Sequence, residues 1–147
     1  MEVLVENRQH RHMLPKKNIQ MAARHILSAL GYPEAQLSIL IVDDDQIATL
    51  NLTYLSHAGP TNVISFPMQE GRYTDITPDL LGDVVISADT AHREAVDAGM
   101  AMTTRFNQLL IHGILHLVGY DHVNSKAAAA VMEQKSNELK ELIGKEE

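Results

Sequence analysis

The chain has 147 residues, no cysteine and a net charge of −7. That length suits one domain with a core large enough to need no disulfide, and a cysteine-free chain fits a reducing compartment. The longest apolar runs are short and broken, too short for a membrane span, and the N-terminus lacks a signal-peptide layout, so a soluble cytoplasmic protein is expected. An acidic whole argues against non-specific coating of nucleic acid but leaves room for a local basic surface. Residues 1–25 hold five of the twelve basic residues, most of them in RQHRHMLPKK at 8–17. That run reads as a solvated loop and helix start.

In chain order, EVLVE (2–6) alternates charged and apolar residues and predicts a strand. Pro15 opens a helix to about Gly31, with Ile19, Ala22, Ala23, Ile26 and Leu30 as its buried stripe. QLSILIV (36–42) is apolar enough for a central strand. One of Asp43, Asp44 and Asp45 caps the short helix DQIATLNLTYL, and the others favour its positive end. TNVISF (61–66) predicts a strand ended by Pro67, and a polar loop over about 68–81 is long enough to act as a lid or binding loop. GDVVIS (82–87) is a further strand, and a helix from Ala88 to Ala98 stops at Gly99. Thr103 or Thr104 is expected to cap a long helix that is apolar on nearly every side and therefore central and buried. Residues 125–143 close the chain as a helix. The order predicts an α+β fold: one domain over 1–147, with a mixed sheet of about four strands covered by helices.

The long helix carries the chemistry, in HGILHLVGYDH (112–122). His112 and His116, four apart, project from one helical face. Gly119 can end the helix in the left-handed conformation, and the returning chain can bring His122 toward the pair. Three imidazoles with a fourth position open are the donor set of a catalytic zinc site; a closed structural site would want a fourth ligand, and none is evident. The spacing matches the zinc-protease pattern H-E-x-x-H-x-x-G-x-x-H, but Gly113 replaces its general-base glutamate, so peptide hydrolysis by that route is not expected. Asp121 is a candidate to move a proton or orient a histidine, and equally a brace for the turn. Asn62 and Ser65 are candidates to face substrate, or to satisfy backbone groups at a strand edge.

The histidine run, with LNLTY (50–54), PTNVISFP (60–67) and LLGDVVIS (80–87) in the same order, resembles the YbeY family of bacterial endoribonucleases, the rRNA maturation factors. The resemblance covers roughly 36–143. It implies a single α+β domain, one Zn2+ per chain on His112, His116 and His122, and action on RNA. The role it implies is maturation of the 3′ end of small-subunit (16S) rRNA and ribosome quality control, with rRNA precursor and the ribosome or its small subunit as partners, and neither DNA nor membrane. One departure stands out. Where family members commonly carry arginine after the tyrosine of the LN-x-x-Y stretch, this chain has Leu55, followed by Ser56, His57, Ala58 and Gly59. Leucine cannot hold a phosphate. Either another cation, His57 or Arg72, replaces it, or cleavage is weaker, or substrate is handled differently. Attack on RNA by a metal-activated water and attack by the ribose 2′-hydroxyl both fit the residues. A ribosome-associated assembly factor with a mainly structural zinc is the competing reading. A zinc hydrolase of small molecules or peptides is a third.

Overall fold

The computed structural model describes residues 2–68, 80–120 and 125–145. Four strands, β1 (Glu2–Asn7), β2 (Gln36–Val42), β3 (Val63–Pro67) and β4 (Leu80–Ser87), form one sheet in the order β1-β2-β4-β3. The β1–β2 and β2–β4 pairs are parallel and β3–β4 is antiparallel, so the sheet is mixed and β3 is an edge. Five helices are found among the described residues: α1 (Lys16–Ala29), α2 (Asp44–Leu55), α3 (Ala88–Ala98), α4 (Met102–Leu117) and α5 (Lys126–Gly144). The fold is a single α+β domain, as expected.

Each parallel crossover places a helix against the sheet. On one face, Leu37, Ile39, Ile41, Val84 and Ile86 pack with α1, α4 and α5 in the main core. On the other, α2 covers part of the sheet through Ile47, which meets Val42, Ile64 and Val85. The central place of β2, inferred from its apolar run, is observed. So is the central place of α4: Phe106, Leu110, Ile111, Ile114 and Leu115 are fully buried, each contributing roughly 1.5–3 kcal/mol of apolar burial.

Local signals set most boundaries. Pro15 precedes α1 in extended conformation. Asp43 caps α2 by accepting from the Gln46 N–H, while the Gln46 side chain accepts from the Asp43 N–H. Ser87 caps α3, Gly99 ends it at φ 68°, and Ser125 caps α5. Three expectations change. Helix α4 starts two or three residues earlier than a threonine cap would put it, with Ala101 at its N-cap and no side-chain cap. Strand β3 runs through Pro67 instead of stopping before it. The bonds Ser87 N–H to Asn62 O and Met68 N–H to Leu81 O flank the strand, so the alternation of the antiparallel ladder turns residues 63, 65 and 67 toward the open edge, where a missing N–H costs no sheet bond. Strand β4 begins at Leu80, with a register shift opposite Gln36 and Leu37. Gly82 there adopts φ 135°, and a Cβ on it would meet the Phe66 carbonyl. Leu80 and Leu81 thus leave the expected loop, whose residues 69–79 lie outside the described residues, as does Arg72.

Candidate metal centre and its surroundings

The close approach of α4 to β3 and β4 builds the site. Val63, Ser65 and Pro67 project toward α4, and the Ser65 hydroxyl donates to the Gly113 carbonyl at 2.8 Å. A Cβ at Gly113 would lie 2.6 Å from Val84 Cγ1 and 3.2 Å from Val63 Cγ2. Position 113 therefore faces the sheet and not the cleft, and no side chain there could serve as a base for the histidine face.

His112 and His116 stand half-buried on the neighbouring face. Their Nε2 atoms converge to 3.0 Å, with the rings nearly perpendicular. Two imidazole nitrogens sharing a tetrahedral zinc at its usual bond length would stand about 3.3 Å apart. The pair fits such an ion with a small opening of the rings. The helix then closes as the sequence suggests: Gly119 takes φ 99°, and the Tyr120 N–H bonds back to Leu115 O at 3.0 Å. His122 and Asp121 lie outside the described residues, so no three-ligand group is found among the described ones.

The pair opens into a cleft of about 430 Å³ between α4, β3 and the end of α2, with Ser65, Leu55 and Tyr120 in its walls. It is an open cleft, not an enclosed cavity. Leu55, 45% exposed, lines the cleft, so a longer side chain at that position would reach into it. His57 is exposed and does not line the cleft. Asn62 sits on the far side of His112, and its side-chain amide donates to both Glu94 oxygens at 3.3 Å. Glu94 also pairs with Arg105 at 3.1 Å, and Arg105 donates to Gln108 Oε1 at 2.9 Å. Motif spacing does not single out this polar strut, although Arg105, Gln108, His112 and His116 recur at steps of three and four along one face of α4.

A second polar network joins the C-terminal ends of the parallel strands. Asp89, 8% exposed, accepts from the Asp44 N–H at 3.0 Å and Arg11 at 3.3 Å, and its carboxylate lies 3.0 Å from His12 Nε2. Asp44 accepts from Ser87, Thr90 and Arg93. Burial pushes both carboxyls up, but these donors outweigh it and hold both below the ordinary carboxylate value. The basic N-terminal run is thus partly anchored: Gln9 is buried and bonded to Asn7 and to His12 O, while Arg11 extends into solvent from its ion pair. No described helix is long and apolar enough to cross a membrane.

A mixed four-stranded sheet with two converging histidines presented on a central helix beside an edge strand defines an α+β domain with a candidate metal-binding pair. The endoribonuclease YbeY family model matches residues 4–144, and the chain belongs to that family. It is similar to the endoribonuclease YbeY of Geobacter sulfurreducens, 49% identical over 97% of this chain and 96% of that one. The Geobacter metallireducens relative is 47% identical over 99% and 98%. The Syntrophotalea carbinolica relative is 46% identical over 92% and 91%. Among solved structures, the solution structure of TM1509 from Thermotoga maritima shares the fold, with a TM-score of 0.70 over 98% of this chain and 90% of that one, at 22% identity.

Proposed function

We propose that this chain is a zinc-dependent endoribonuclease of single-stranded RNA that acts in the cytoplasm on the 3′ end of small-subunit rRNA precursor, during ribosome maturation and quality control. The observation that carries the reading is the 3.0 Å convergence of His112 and His116 in an open cleft, on a chain whose relatives are named endoribonucleases over nearly its whole length. His112, His116 and His122 would hold one Zn2+. Bound zinc supplies activation of water near neutral pH and polarisation of a phosphoryl oxygen. The chain's own residues do the rest. Ser65 fixes α4 against the edge strand and so sets the height of the imidazoles over the cleft. The Val63 and Ser65 backbone, on the edge strand, offers donors and acceptors to a strand laid along it. Asp121 would orient the third histidine or take a proton.

Leu55 in the cleft wall favours a second reading, an RNA- or ribosome-associated assembly factor with a mainly structural zinc and weak or no cleavage. The open cleft counts against a small-molecule hydrolase. The test is cleavage by zinc-loaded protein on rRNA precursor, generic single-stranded RNA and duplex RNA. The nuclease reading predicts cutting of the first two and sparing of the duplex. Tight RNA binding without cutting would establish the assembly-factor reading instead.

A further inference from the structure

A smaller polar cavity of about 180 Å³ lies on the opposite side of His112 from the cleft, lined by Asn62, Arg105, Gln108, His112, Ser136 and Lys140. It shares His112 and Val63 with the cleft, so the two adjoin at that imidazole. The charges in it can be assigned one by one. The Glu94 carboxylate is matched by Arg105 and by the Asn62 amide. Arg105 has its remaining guanidinium nitrogen on Gln108 Oε1, which leaves the Gln108 amide N–H groups directed away from that bond. Lys140 makes no ion pair among the described residues, whereas Lys135 on the same helix is bound to Glu138. The acidic side chains Glu133, Glu138 and Glu141 line a different surface of α5. In a chain of net charge −7, the wall beside His112 therefore carries one uncompensated positive charge with amide and hydroxyl donors around it.

We propose that this cavity is a phosphate subsite for the RNA strand next to the cleaved position, with Lys140 as its cation and Gln108 and Ser136 as hydrogen-bond donors. A cation at this position makes good on the opposite wall some of the charge that Leu55 withholds. The assignment rests on the RNA reading above.

The test is binding of a short single-stranded RNA, shown by gel to be intact at the end of each titration, measured across a salt series with wild type, Lys140→Ala, Lys140→Arg and Lys135→Ala. One lost phosphate contact lowers the slope of log affinity against log salt by about 0.7 for a single strand. Affinity at low salt should fall about threefold in Lys140→Ala, as for a solvent-accessible ion pair. Lys140→Arg should restore it and Lys135→Ala should leave the slope unchanged. An unchanged slope in Lys140→Ala, or an equal loss in Lys135→Ala, overturns the subsite. Wild type that binds without cutting native RNA, with the slope still reduced in Lys140→Ala, supports the subsite while contradicting the nuclease reading.

Discussion

A methyl group at position 113 would stand 2.6 Å from a methyl of the fully buried Val84, whose branched side chain has little freedom to yield. Alanine gains about 1 kcal/mol of helix propensity over glycine, while overpacking a close-packed core costs about 1–3 kcal/mol. Gly113→Ala should therefore lower stability by about 1 kcal/mol in urea unfolding, and combining it with Val84→Ala should cut that cost by at least half. The same loss in both backgrounds would place the strain elsewhere. The glycine stands out in the sequence as a departure from the protease pattern, but its reason does not, because Val63 and Val84 arrive from strands distant in the chain. Leu55 is the reverse case. Its lack of charge is plain in the sequence, and the structure adds that it lines the cleft. Leu55→Arg should raise RNA affinity or turnover severalfold, measured as Kd and kcat/KM on single-stranded RNA. No change in either would show that the position is not a phosphate contact in this chain.

At the scale of elements, the N-termini of α2 and α3 are tied to the β1–α1 loop through Asp44 and Asp89. Both carboxyls titrate below their ordinary value in the folded chain. Their contribution is complete above the unfolded carboxylate pKa of about 3.9 and is lost as pH falls through the lower folded values. The share of the unfolding free energy that Asp44 and Asp89 contribute should stay level above about pH 4 and drop below it. Asp89→Asn should cost about 1–3 kcal/mol at neutral pH and flatten the acid limb, as read by urea titrations between pH 3 and 7. An unaltered limb would assign acid sensitivity to other carboxyls. The Asp43 cap is legible because capping is local, as is the i, i+4 pairing of His112 and His116. The continuation of β3 through Pro67 and the irregularity at Leu81 and Gly82 depend on which strand lies alongside, and a single chain read in order does not carry that information.

For the whole molecule, the four-stranded sheet and buried α4 serve one arrangement. They press a helix against an edge strand so closely that its two histidines are presented over the adjoining cleft. The most direct measurement is metal content and RNA cleavage on one preparation of wild type and His116→Ala, with folding checked in both. About one zinc per wild-type chain, cleavage of single-stranded RNA that a chelator removes, and loss of metal and cleavage together in folded His116→Ala are the predicted results. Cleavage that persists in His116→Ala, or wild type that cuts RNA while holding no transition metal, would contradict the account.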